Sequence, residues 1–335
     1  MTKILAPSKF DVVGSFLRPR DLKIAREKFS KGEISGEELK KVEDREIEKL
    51  VKKQKEAGLK IISKYTLAED ELIHFHGETL RPDGVKIVGK IGGKNHPFLD
   101  HYKFVKGFED ENTVAKQTIP SPAQLLRGVY NQIKEGNPYE DVEEFIKDVA
   151  EAYGEIFQEI YDIGCRNLQL DDCAWGSVVD PNFAERFHVD AKSVEELKEE
   201  YLKINNDAIE KAPEGLNITT HICRGNYKSH YASEGSYDSV ADYVLARENV
   251  SAFYLEYDDE RSGDFKALAK IPAGKKVVLG IVTSKRPELE DKEELIKRIS
   301  PQCGFSSTEE GNAVTEEDQW KKIALLKEVA EEVLI

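Results

Sequence analysis

Asn217-Ile218-Thr219-Thr220-His221-Ile222-Cys223-Arg224-Gly225-Asn226 reads as a short β-rich run that ends in a His-x-Cys pair and a glycine turn. Side chains alternate along a strand, so His221 and Cys223 point to the same side. An imidazole and a thiolate side by side make half of a zinc site. Taken alone, such a pair more often is a core cysteine beside a satisfied histidine. The rest of the chain shifts that balance. Glu256 ends a second apolar run, Ala252-Phe253-Tyr254-Leu255, and Cys303 sits in Ser300-Pro301-Gln302-Cys303-Gly304-Phe305. Donors of this kind at several strand ends are what a barrel enzyme uses to hold one metal at its mouth.

Outward from that stretch, strands and helices alternate. A helix over Glu37–Ala57 starts beside Ser35 and ends at Gly58, a glycine in the position that closes helices. Helices are expected over residues 21–30, 141–161, 194–212, 237–247, 264–269, 292–299 and 316–334. Strands are expected over residues 10–13, 59–62, 85–91, 116–119, 167–170, 216–221, 252–256 and 276–281. Such alternation implies a parallel sheet, and about eight units imply closure: a single-domain α/β fold, a (β/α)8 TIM barrel spanning residues 1–335. No Gly-x-Gly-x-x-Gly follows a strand and no Walker loop is present, which argues against a nucleotide fold.

Two places break the rhythm. A barrel unit takes roughly 30 residues. Cys223 and Glu256 are one unit apart, but the stretch from Glu256 to Cys303 crosses another strand and is too short for two. The helix ending at Ile299 runs directly into Ser300-Pro301, and the strand ending near Ile62 runs into Ser63-Lys64-Tyr65-Thr66. The spacing predicts that residues are missing after Ser63 and after Ile299, with a break in the backbone at each joint.

The chain has 335 residues, 39% of them apolar, enough for one decorated barrel with a large core. Its net charge of −15 lies largely on helix-like stretches and describes a solvated surface. That balance excludes a nucleic-acid partner, which needs a basic face. No run is long enough to span a membrane, and the N-terminus has no long apolar segment. A cytoplasmic, reduced protein is expected, in which cysteines serve as metal ligands or core. Cys165 reads as core, and Cys173 lies near the candidate site, although nothing in its spacing makes it a ligand.

The chain resembles the cobalamin-independent methionine synthase family in a short form that keeps only the catalytic zinc barrel. The carriers are Val13-Gly14-Ser15-Phe16, Gln169-Leu170-Asp171-Asp172, Thr220-His221-Ile222-Cys223, Tyr254-Leu255-Glu256 and Pro301-Gln302-Cys303-Gly304. The resemblance implies one Zn²⁺ bound through His221, Cys223, Glu256 and Cys303. It also implies an amino-acid substrate held by Ser15 and Asp171, with Asp172 beside them. The activity implied is transfer of a methyl group to the thiol of homocysteine, giving methionine.

The residue types suit that chemistry. A free thiol, with a pKa of about 8.5, is a poor nucleophile at neutral pH, and bound zinc deprotonates it. Asp171 would accept hydrogen bonds from the substrate ammonium. Asp172 is placed equally well as a helix cap or in the site. The chain departs from the full-length enzymes in two ways. Their acidic motif after the second strand is replaced by Ser63-Lys64-Tyr65-Thr66. Their histidine on the strand after the zinc glutamate, which delivers a proton to the departing folate, has no counterpart in Leu279-Gly280-Ile281-Val282-Thr283-Ser284. The methyl donor is therefore open between a methylfolate, a methyl-corrinoid protein and a small methylated metabolite.

Among the remaining segments, Arg224–Tyr227 and His230 read equally as pocket lining or plain loop. Arg261 is a candidate substrate contact but reads better as part of a surface charge cluster, His74 and His76 resemble a metal pair but read as surface, and Trp175 is placed as a pocket wall. Two other functions stay in play: a zinc-dependent alkyltransferase acting on another thiol, and a non-catalytic zinc barrel. The last is disfavoured, because structural zinc sites use closely spaced local ligands.

Overall fold

A computed structural model of the chain describes residues 4–13, 15–64, 73–75, 78–80, 87–135, 138–186, 191–296 and 312–333. The strands in chain order are β1 (Ile61–Lys64), β2 (Ile73–Phe75), β3 (Glu78–Leu80), β4 (Val114–Pro120), β5 (Asn167–Asp171), β6 (Asn217–Ile222), β7 (Ala252–Glu256) and β8 (Lys276–Gly280). The α-helices are α1 (Arg20–Ser30), α2 (Gly36–Glu56), α3 (Phe98–Lys106), α4 (Pro122–Lys134), α5 (Val142–Asp162), α6 (Cys173–Val178), α7 (Phe183–Arg186), α8 (Ala191–Glu210), α9 (Lys292–Ile296) and α10 (Glu316–Val333).

Six strands form one parallel sheet in the order β1-β4-β5-β6-β7-β8, and β2 and β3 pair separately as an antiparallel hairpin. Among the described residues the sheet is therefore a six-stranded half-barrel. The segment expected as a first strand joins no named strand, and residues 87–91 form none. Strand β1 runs unbroken through Ser63 and Lys64, paired with Lys116 and Gln117, so the predicted backbone break does not fall there. Ile299–Ser300 lies outside the described residues.

Local chemistry sets the element ends. Ser35 and Glu38 cap α2 reciprocally, each side chain bonding the other's backbone N–H. Ser121 caps α4, with Pro122 in its first turn, and Asp141 caps α5. Helices α3 and α4 were not anticipated. The helix expected over residues 237–247 is a 3₁₀ turn (Tyr237–Ser239) followed by a π turn (Ala241–Leu245), and Phe265–Lys270 is 3₁₀ rather than α.

The two faces of the sheet differ in kind. Leu168, Leu170, Ile218, Ile222, Phe253 and Leu255 point outward into an apolar core shared with α4, α5 and α8. Residues of the opposite parity line a polar interior. Lys116 Nζ donates to Gln169 Oε1 (2.9 Å) and to the Val12 carbonyl (3.2 Å), and Tyr254 OH donates to Asp11 Oδ2 (2.8 Å). Val13 packs on Tyr254 and Val278. One N-terminal segment thus touches β4, β5, β7 and β8, which requires the sheet to curl around it. Trp175, wholly buried, stacks edge-on against Tyr201 in the outer core.

Candidate metal centre

The register brings the site together. Asp171 of β5 pairs with His221 of β6, and His221 pairs with Tyr254 of β7. Two residues further along, Cys223 and Glu256 leave the ends of their strands on the same face. One donor atom each from Asp171, His221 and Cys223 lies within 4.8 Å of the other two, and all three side chains are buried. A carboxylate, an imidazole and a thiol at that mutual distance suit a borderline-soft divalent ion such as zinc.

His221 is oriented for this role. Its Nδ1 lies 3.1 Å from the Tyr254 carbonyl, which can only accept, so Nδ1 carries the proton. Nε2 then faces Asp171 Oδ1 and Glu256 Oε1, each at 3.9 Å. Burial opposes a charge on the ring. The hydrogen bond with Cys223 and the charges of Asp171, Cys223 and Glu256 outweigh it and raise the pKa to about 9.

Glu256 does not join the closest group of three, but it is held beside it. Oε1 accepts the Arg224 N–H at 3.0 Å, and Oε2 accepts from Arg261 Nη2 at 3.2 Å. Arg261 also bonds Asp258 (2.8 Å), and Lys285 Nζ lies 3.9 Å from Glu256 and 3.6 Å from Asp258. The expectation that Arg261 belongs to a surface charge cluster is corrected: its side chain is 5% exposed. The turn Asp259–Gly263 folds it back under β7, where it neutralises two buried carboxylates. Arg224 is likewise buried; its Nη1 donates to the Gly235 carbonyl at 2.6 Å and its guanidinium lies over Tyr237.

Asp172 caps a helix. Its Oδ1 accepts from the N–H groups of Ala174 and Trp175, and its Oδ2 accepts from Asn205 Nδ2 at 2.8 Å. The same Asn205 nitrogen reaches Glu248 Oε1 at 2.7 Å, so one amide joins two buried carboxyl groups behind the site. Burial raises the pKa of both, and that of Glu248 reaches about 8. Ser15 is buried and its Oγ makes no hydrogen bond among the described residues, which leaves it available to a polar ligand. Cys303 and His76 lie outside the described residues, as does the side chain of His74. Cys173, near the site in sequence though nothing in its spacing made it a ligand, lies against Cys223 and hydrogen-bonds to it. The register Asp171↔His221, carried two residues on, brings the two cysteines together.

Comparison with known proteins agrees with this geometry. The sequence pattern described as "Cobalamin-independent synthase, Catalytic domain" matches residues 10–310. The uncharacterized proteins YxjH and YxjG of Bacillus subtilis are 38% and 36% identical, each over 98% of this chain and 95% of its own length. The alignment with YxjH spans 362 positions against 335 residues here, so that relative carries segments this chain lacks. A methionine synthase of Sulfolobus acidocaldarius is 23% identical over 64% of the chain and 61% of its own. A solved structure, the putative vitamin-B12 independent methionine synthase from Listeria monocytogenes, superimposes with a TM-score of 0.75 at 34% identity over 99% of both chains. A match across most of the chain, in both sequence and fold, places it in the cobalamin-independent synthase catalytic-domain family.

Proposed function

We propose that this protein is a zinc-dependent methyltransferase that moves a methyl group to the thiol of homocysteine, with the chain forming one (β/α)8 catalytic barrel. The observation that carries the reading is the buried group of Asp171, His221 and Cys223 at the ends of adjacent parallel strands. His221, Cys223 and Glu256 would hold the metal, joined by Cys303. A zinc ion bound there keeps an acceptor thiol deprotonated at neutral pH.

The protein's own groups supply the rest. Asp171 accepts hydrogen bonds from the amino acid's ammonium, and Ser15 Oγ serves its polar end. The Tyr254 carbonyl fixes the ring of His221, and Arg261 with the Arg224 N–H fixes the carboxylate of Glu256. Held in this way, the acceptor sulfur attacks the methyl carbon in line with the bond that breaks. The sulfur–carbon bond forms, and the electron pair of the old bond leaves with the donor.

The test is metal analysis of the purified protein, followed by a screen of homocysteine against a methylfolate, a methyl-corrinoid protein and small methylated metabolites. Stoichiometric zinc and methionine formation with one donor is the expected result. Absence of bound metal, or no methionine from any donor, would refute the assignment.

A further inference from the structure

Outside the proposed ligand set, Cys173 lies one step from Cys223 in the sheet register. Asp171 pairs with His221, the Asp172 N–H donates to the His221 carbonyl at 2.7 Å, and the Cys223 N–H donates to the Asp172 carbonyl at 3.3 Å. The ladder therefore continues past the strand end, and its next position sets Cys173 opposite Cys223. Neighbouring strands run about 4.8 Å apart, inside the roughly 4.4–6.8 Å Cα separation that a disulfide spans. Strand parity puts the Cys223 side chain on the face of Asp171 and His221, and Cys173 opens α6 beside it. Helix α6, which begins at Cys173, is locked against the same backbone: Gly176 lies so close to the Cys223 carbonyl that a Cβ there would sit 1.7 Å from the oxygen. The two thiols share a hydrogen bond. Cys173 is nonetheless absent from the group of donors that can meet at one metal ion. Cys173 is partly exposed as a residue, whereas Cys223 is buried.

We propose that Cys173 and Cys223 form a redox pair, which closes to a disulfide when the metal is absent and thereby takes Cys223 out of the metal centre. A peroxide oxidises one thiol to a sulfenic acid with release of water. The other thiol displaces the hydroxyl as a second water, forming the sulfur–sulfur bond. Two thiols and one peroxide give one disulfide and two waters. A metal on Cys223 blocks both steps by occupying the sulfur. Only this protection rests on the proposed metal centre; the crosslink itself needs neither zinc nor homocysteine.

The experiment exposes zinc-loaded and chelator-stripped protein to hydrogen peroxide, alkylates the remaining thiols and maps the cysteine peptides by mass spectrometry. The stripped protein is expected to lose two titratable thiols and yield a Cys173–Cys223 linked peptide. The loaded protein is expected to retain them, and dithiothreitol should restore zinc uptake to the oxidised sample. Cys173→Ser should still bind zinc and should yield no linked peptide. A stripped protein in which Cys223 is oxidised singly, or is linked to Cys303, overturns the pairing. Equal crosslinking with and without zinc overturns the protection while leaving the methyl-transfer assignment to its own test.

Discussion

Arg261 Nη2 lies 3.2 Å from Glu256 Oε2 and 2.8 Å from Asp258 Oδ1, so one guanidinium nitrogen bridges two carboxylates whose side chains are wholly buried. Removing one member of a buried ion pair leaves an uncompensated charge in a poorly solvated place. Arg261→Met should therefore destabilise the fold by about 3 kcal/mol, with Lys285 offsetting part of the loss. Urea denaturation of the two proteins measures this. A difference below about 1 kcal/mol would mean that the bridge contributes no more than a surface pair.

The donor set makes separable predictions for its members. Cys223→Ser should release the metal and abolish methyl transfer while the apolar core on the other face of the sheet stays folded. Asp171→Asn should keep the metal and raise KM for the amino acid, because an amide accepts from an ammonium more weakly than a carboxylate. Metal content and kinetics on the same preparations check both. Loss of zinc from Asp171→Asn would instead make Asp171 a ligand, in keeping with its place beside His221 and Cys223.

Glu248 carries a pH dependence. Burial, reinforced by the nearby charge of Asp172 and opposed by the Asn205 amide, pushes its pKa from 4.5 up to about 8. A carboxyl raised in this way binds its proton more tightly when folded. Its stabilising contribution is complete below about pH 4.5 and is lost as pH climbs through about 8. Glu248→Gln should flatten the decline of the denaturation midpoint over that window. An unchanged slope would show that Glu248 does not titrate there.

Gly176 makes a steric prediction. An added Cβ would stand 1.7 Å from the Cys223 carbonyl oxygen and 2.8 Å from its carbon, and both are backbone atoms with no side-chain freedom to yield. Gly176→Ala should cost on the order of 3 kcal/mol and weaken metal binding by displacing Cys223. Chelator competition and thermal denaturation read the two effects. Wild-type affinity in a folded variant would mean that α6 shifts instead of the strand end.

What the sequence determined by itself is local and periodic. A β-rich run ending at Cys223 and an apolar run ending at Glu256 placed β6 and β7, and strand alternation gave His221 and Cys223 a shared face, because a strand's two-residue period depends only on its own backbone. Ser35 marked the start of α2 for the same reason: a cap bonds within one turn. The tertiary structure decided everything that rests on register between strands or on a turn folding back. Arg261 reads as one charge among many in Asp258-Asp259-Glu260-Arg261, and only its position under β7 makes it the partner of Glu256. Asp172 caps a helix because α6 starts immediately after it. Cys173 and Cys223 stand fifty residues apart in sequence and meet only through the pairing of β5 with β6. Such contacts follow from how separate elements align in space, which no short window of residues encodes.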